Sequence, residues 1–253
     1  MMYNVKKFSV SGILAAVLIL MLSSGNSRTF ASTTGRQLAD KVQNAISNYY
    51  DNNFNITANG SGVVTINGNI NSLYNKYRIF DIVERIRGVK DIKDLITVNT
   101  APVPDNVIRG HILQELKLNG AILEPNRIKV SVNNGEIVLR GDVSYYREKL
   151  IAESIASWQK GATGITDNIK VLPPKVAVSD KNLKIILSDI LKDHFPVETK
   201  VNFKVNRGMV LLDGYTHTLW AKRHIARDFR RVKGVHDVLN HIITSPEHYA
   251  NLA

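Results

Sequence analysis

The sequence predicts an α+β fold made of three tandem copies of one small module. The main observation is a repeat of glycines in phase: Gly62, Gly135 and Gly208 lie 73 residues apart, as do Gly68, Gly141 and Gly214, and again Gly88, Gly161 and Gly234. The second is the text between them. Gly62-Val63-Val64-Thr65-Ile66-Asn67-Gly68 aligns with Gly135-Glu136-Ile137-Val138-Leu139-Arg140-Gly141 and with Gly208-Met209-Val210-Leu211-Leu212-Asp213-Gly214. The third lies past the last glycines, where Ile92, Ile165 and Val238 align, then Asp94, Asp167 and Asn240, then Ile96, Ile169 and Ile242. Self-similarity at a fixed period marks an array of one supersecondary unit.

The elements of one copy are clearest in the third. Asp180 is the expected N-cap of a helix whose stripe is Leu183, Ile186, Leu187, Ile190 and Leu191. Pro196 stops it, and Val201, Phe203 and Val205 alternate with Asn202 and Lys204 as a strand with one buried face. Asn206-Arg207-Gly208 is a tight turn, Met209 to Leu212 the return strand, and Gly214 its expected end. A second helix is predicted from Thr218 to Lys233, stopped at Gly234, and a last strand from Val238 to Ile243. The order is helix, strand, strand, helix, strand.

The other copies follow with different fidelity. In the second, Ile128, Val130 and Val132 form a strand and Asn134-Gly135 a strong hairpin turn, but its first helix, Val107 to Leu116, should be interrupted at Gly110. The first has a good helix stripe, Leu38, Val42, Ile46 and Tyr49, and a poor first strand, Asn55 to Asn59. Proline pairs, Pro102 with Pro104 and Pro173 with Pro174, mark short semi-rigid linkers. The expected boundaries are residues 36–99, 103–172 and 178–245.

Ahead of the array, Lys6 and Lys7 precede a charge-free run from Val10 to Leu22, then small and polar residues ending in Thr29-Phe30-Ala31. That is the layout of a secretory signal peptide over residues 1–31, cleaved after Ala31. The competing reading is an uncleaved anchor helix over Phe8 to Ser27. With no cysteine, a lipid-acylated anchor and disulfides are both excluded. Export points to the periplasm.

Charge points to anionic partners. The formal net charge is +11, and residues 178–245 hold the largest surplus. With export, a membrane surface or acidic glycan is favoured over nucleic acid. On a wheel of the helix from Thr218 to Lys233, Arg223, Arg227, Arg230 and Arg231 share one side with Trp220, opposite Ala221, Ile225, Phe229 and Val232. A tryptophan beside an arginine stripe suits an anionic headgroup layer, so these five residues are the candidate lipid-binding site. Contact with a neighbouring copy or partner, and a plain solvated face, stay open. Tyr74 and Arg147 hold the position of Trp220 in the other copies, which lack the stripe.

No catalytic, metal or cofactor site is expected. Gly-x-Ser-x-Gly, His-Glu-x-x-His and phosphate-loop patterns are missing, and Gly60-Ser61-Gly62 falls between strands as a turn. Five of the seven histidines crowd the last 37 residues, but His236 and His241 fall on opposite strand faces, which disfavours a metal site. Asp91, Asp94, Asp167 and Asp237, at turns and strand starts, should bond local backbone.

The element order, the glycine-bounded hairpin strand and the ending Gly234-Val235-His236-Asp237-Val238-Leu239-Asn240-His241-Ile242, with its partner Gly88-Val89-Lys90-Asp91-Ile92-Lys93-Asp94-Leu95-Ile96, resemble the BON (bacterial OsmY and nodulation) domain family. The second copy departs, with Ala162 for the valine and an extra Gly164. The resemblance implies a three-stranded sheet with both helices on one face, no enzymatic activity, and exported proteins of the bacterial envelope that act in envelope or osmotic stress and bind phospholipid surfaces. The expected partner is an anionic phospholipid surface. The alternative is an adaptor that binds envelope proteins or peptidoglycan through exposed helix faces. Neither nucleic acid nor a small-molecule substrate is expected.

Overall fold

Alternating strands and helical stripes become three modules in the computed structural model, which describes residues 25–51, 53–172, 178–195 and 199–245. The apolar run Val10 to Leu22 and the pair Pro173-Pro174 lie outside the described residues. In copy one, α1 (Gly25–Ser47), β1 (Asn55–Ala58), β2 (Val63–Ile70), α2 (Leu73–Glu84) and β3 (Asp91–Val98) follow in order. Copy two holds α3 (Asp105–Leu118), β4 (Ile128–Asn133), β5 (Glu136–Val143), α4 (Tyr146–Ser157) and β6 (Gly164–Val171). Copy three holds α5 (Asp180–His194), β7 (Thr199–Asn206), β8 (Met209–Thr216), α6 (Leu219–Arg230), β9 (Asp237–Asn240) and β10 (Ile243–Thr244). Among the described residues no helix is long and apolar enough to cross a membrane.

Each sheet has the same topology. The hairpin pairs its two strands antiparallel, and the chain returns through the second helix to pair the last strand parallel to the middle one. A parallel partner needs such a crossover, and the crossover packs its helix on one sheet face. Strand alternation then sorts the side chains. In copy three, Val205, Val210, Leu212 and Val238 turn inward to meet Leu183 and Leu187 of α5 and Ala221, Ile225 and Phe229 of α6. Phe203 meets Phe229 edge to face, centroids 5.3 Å apart. Each fully buried Leu, Ile or Phe of this kind contributes about 1.5–3 kcal/mol. The cores of copies one and two merge into one apolar cluster that also takes in Leu219 from copy three.

Several sequence expectations shift in detail. Ser179, not Asp180, caps α5, its Oγ accepting from the Asn182 N–H. Asp180 instead reaches the hairpin, accepting from the Arg207 and Gly208 N–H groups at 2.8 and 3.0 Å, and these two donors hold its carboxyl below the usual range. Asp105 does the same for Asn134 and Gly135 in copy two. α3 runs unbroken through Gly110, where a Cβ would meet nothing within 4 Å. Ile186 lies on the exposed side of α5. α6 ends at Arg230, short of Lys233, and the last strand splits into β9 and β10, both paired to β8.

Gly214 does not end its strand; β8 continues through it to Thr216. It has φ +119°, and a Cβ there would stand 2.1 Å from the Lys200 carbonyl oxygen of the partner strand. Gly141 is its counterpart, at φ +116° and 2.0 Å from the Arg127 carbonyl. Glycine is required because the backbone is left-handed and the neighbouring strand occupies the Cβ position. The four aspartates at turns and strand starts bond local backbone as expected, for example Asp94 accepting from the Ile96 N–H and Asp167 from the Ile169 N–H.

Candidate functional site

The predicted stripe of α6 lies where the three copies meet. Thr218 caps the helix by accepting from the Ala221 N–H, which fixes its start and its rotation against the sheet. With Ala221, Ile225 and Phe229 committed to the core, Trp220, Arg223, Arg227 and Arg230 are carried toward the second helices of the other copies.

Trp220 is half-buried between aromatic and cationic neighbours. Its ring stacks on His224 with centroids 4.0 Å apart, tilts against Phe195 at 5.9 Å, and receives the Arg85 guanidinium of copy one 4.2 Å above its centre. A cation over an indole face contributes about 0.5–2 kcal/mol, the more so when desolvated. The indole Nε1 is buried without a hydrogen-bond partner among the described residues. Arg223 donates to the buried Glu84 of α2 and lies 3.8 Å from Asp91. Burial raises the Glu84 pKa, and Arg223 opposes that rise.

The remaining arginines face copy two or their own helix. Arg230 donates to the Val238 carbonyl at 2.8 Å, approaches Asp237 at 3.5 Å, and sits 5.9 Å over the Tyr146 ring of α4. Arg231 reaches Asp228 at 3.4 Å. The Nε of Arg227 is buried with no hydrogen bond, 3.9 Å from Asp228. Burial and the nearby Arg227 charge depress His224 to about 4, so it is neutral at pH 7.

These contacts close in a cycle. The start of α6 in copy three meets the end of α2 in copy one. The start of α4 in copy two meets the end of α6 in copy three. Tyr77 in copy one shares a groove with Glu153 and Ser157 toward the end of α4 in copy two. All five predicted site residues thus carry contacts within the chain: Trp220, Arg223 and Arg230 meet side chains of another copy, and Arg227 and Arg231 line the groove shared with the other two. The partners Glu84, Arg85 and Tyr146 were missed by sequence reasoning. A signal was present: Glu84 and Asp81 occupy the repeat positions of Arg230 and Arg227, a reversal of charge between copies one and three.

A second surface is distinctive. On the outward face of the copy-three sheet, cross-strand rows read Lys204, Leu211, Leu239 and Lys200, Tyr215, Ile243, with Met209 beside them. Met209, Leu239 and Ile243 are 39%, 49% and 61% exposed, a concentration of apolar surface on one sheet face. The rows corresponding to the first of these are more polar elsewhere: Thr57, Thr65, Lys93 in copy one, and Ser131, Val138, Thr166 in copy two, where Val138 is the single apolar member. Two acids on the copy-three face are already engaged, Asp213 with His241 at 3.6 Å and Asp237 with Arg230. Among the described residues no group of three or more His, Cys, Asp or Glu could hold a metal ion.

Comparison with known proteins agrees with the repeat. Among solved structures, the chain is similar to the C-terminal domain of CdsD, a structural protein of the type III secretion system of Chlamydia trachomatis, at 15% identity over 83% of this chain and 98% of that one, TM-score 0.24. It is also similar to the PrgH periplasmic domain, at 11% identity over 76% and 95%, TM-score 0.21. No curated protein matches the chain. The family model described as BON domain matches three times, over residues 34–100, 104–173 and 180–246, and with that the chain belongs to the BON domain family.

Proposed function

We propose that this is a non-catalytic protein of the cell envelope that rests on anionic phospholipid surfaces through the outward sheet face of copy three and serves in envelope or osmotic stress protection. The amino-terminal segment is read as the signal for export to the periplasm. The observation that carries the lipid reading is the set Met209, Leu211, Tyr215, Leu239 and Ile243 beside Lys200 and Lys204, a combination absent from the other two sheets. Apolar side chains enter the headgroup boundary while lysines meet anionic heads, the two forces that hold peripheral proteins to membranes. The Arg223, Arg227 and Trp220 cluster supports this indirectly by holding the copies together, which presents the sheet face from a stable platform. A lipid contact made by that cluster would have to break the Glu84 pair and the Arg85 stack first.

Flotation with vesicles tests the reading. Leu239→Ser with Ile243→Ser should weaken binding to anionic vesicles about tenfold or more, taking about 1 kcal/mol for each half-exposed side chain. Lys200→Ala with Lys204→Ala should reduce both binding and its salt dependence. If Arg223→Ala with Arg227→Ala abolishes binding and the sheet variants do not, the helix stripe is the lipid contact instead. The adaptor reading is favoured by the engaged Asp213 and Asp237 on the same face, which suit a protein surface of mixed charge. It leads if wild type ignores anionic vesicles and co-sediments with envelope protein or peptidoglycan.

A further inference from the structure

Where the second helices of the three copies converge, an open groove of about 290 Å³ is lined by Tyr77 of copy one, Leu150, Glu153 and Ser154 of copy two, and Arg227 and Arg231 of copy three. It lies on the helix side of the modules, away from the sheet face just described. Junctions between domains are common places for small-ligand sites, and this volume suits a small one. Two charged groups in it are under-partnered. Glu153 is half-buried and has no ion pair among the described residues; the Arg227 charge across the groove acts on it only from a distance, and its neighbour Lys149 is spent on Asp167 at 3.4 Å and the Ile169 carbonyl at 2.8 Å. The Nε of Arg227 is buried without a hydrogen bond, and the nearest carboxylate, Asp228, is out of hydrogen-bond reach at 3.9 Å and is shared with Arg231. Burial raises the Glu153 pKa, and a neighbouring carboxylate, Asp167, adds to the rise. Burial first, then Glu153, pushes the Tyr77 hydroxyl up to about 12, which keeps it a neutral donor beside that carboxylate.

A buried guanidinium nitrogen without a hydrogen bond, facing a half-buried carboxylate without an ion pair, marks a place where a partner belongs. A lone anion would meet the arginines but face Glu153, and a lone cation would meet Glu153 but face two guanidiniums. A ligand with both charges satisfies both sides. We propose that this groove binds a small zwitterion, its phosphate or carboxylate held by Arg227 and Arg231 and its ammonium by Glu153 and the ring of Tyr77. Because the lining comes from all three copies, the bound zwitterion would also tie them together. The chemistry fits the phosphoethanolamine head of a lipid and an equivalent free zwitterion alike.

The test uses the whole array and O-phosphoethanolamine as probe, with inorganic phosphate and ethanolamine as the two halves. Phosphoethanolamine should raise the melting temperature by several degrees at saturation, and each half alone should not. Glu153→Gln and Arg227→Gln should each weaken binding at least tenfold in calorimetric titration, while Leu239→Ser with Ile243→Ser leaves it unchanged, which separates this site from the lipid-surface reading. Melting of the ligand-free variants reports folding, and Arg227→Ser, with binding read against Glu153→Gln, stands in where Arg227→Gln does not fold. Vesicles of phosphatidylethanolamine that compete with the soluble headgroup identify a lipid source, and vesicles that do not compete identify a free zwitterion. The proposal is overturned if phosphoethanolamine causes no shift, if either half matches it, or if Glu153→Gln binds as well as wild type.

Discussion

Removing Arg223 should expose how copies one and three are held together. Glu84 is 7% exposed, and the Arg223 guanidinium is the cation in contact with its carboxylate. Arg223→Ala leaves that carboxylate buried and short of a partner, at a cost of about 1–3 kcal/mol. The figure stays below that for a fully buried pair because the Arg223 side chain is 48% exposed. Glu84→Gln keeps the shape and one acceptor and should cost less, so the double variant should be less destabilised than the sum of the singles by about 1 kcal/mol or more. A pH test follows from the sign of the Glu84 shift. Burial raises its folded-state pKa above the unfolded value, so the folded protein takes up this proton more readily and the group disfavours folding as pH rises through that window. Arg223 opposes the rise, so without it the burial effect acts unopposed. The Arg223→Ala defect should therefore be larger at neutral pH and shrink as pH falls through the raised Glu84 range to well below it, where a protonated Glu84 no longer needs a cation. Urea unfolding of wild type and variant at both pH values measures it. A defect of equal size at both, or strict additivity in the double variant, would refute the reasoning.

Two other perturbations test different parts of the fold. Gly214→Ala should destabilise copy three by about 1–3 kcal/mol or more through a left-handed backbone and a Cβ against the Lys200 carbonyl, whereas Gly110→Ala, in open space on a helix, should stabilise by about 0.5–1 kcal/mol; thermal melts of both decide whether the structure reads these glycines correctly. His224 has a folded pKa depressed to about 4, so its contribution is present above the unfolded value near 6.5 and is lost as pH falls from there toward 4; His224→Gln should flatten that part of a stability–pH curve, and an unchanged acid limb would count against its burial beside Trp220.

The module was legible because its rules are local. In-phase glycines mark hairpin turns and the left-handed Gly141 and Gly214, and period-2 and period-3.6 stripes mark the inner faces. The α6 wheel identified the core face correctly, with Ala221, Ile225 and Phe229 all buried. What a wheel cannot contain is the identity of whatever lies opposite that face. Trp220 beside four arginines has the same composition whether it meets a headgroup layer or the Arg85 and Glu84 of a module more than a hundred residues earlier. The outward sheet face of copy three was missed for a related reason. Leu211, Leu239 and Ile243 look like core in a one-dimensional reading, and only the register across β8, β9 and β10 places them on the solvent side.

A closed cycle of contacts inside one chain also accounts for why the copies diverge where they do. In a ring of identical subunits, the same pair of complementary surfaces would have to be repeated at every junction. Here three junctions are made by three different sequences, so each can specialise. The position held by Glu84 in copy one is Ser157 in copy two and Arg230 in copy three, and the three meet Arg223, the Tyr77 groove and Tyr146 in turn. The framework glycines cannot vary in this way, because each copy must build the same hairpin and crossover. Opposite charges at equivalent positions also act as a register device: exchanging copies one and three in the cycle would put Asp81 where Arg227 stands beside Glu153, and like charges brought together penalise the wrong arrangement. On this view much of the arginine surplus of copy three sets the order of the modules. Lys200 and Lys204, by contrast, stand on its outward sheet face, in the rows of Tyr215 and Leu211.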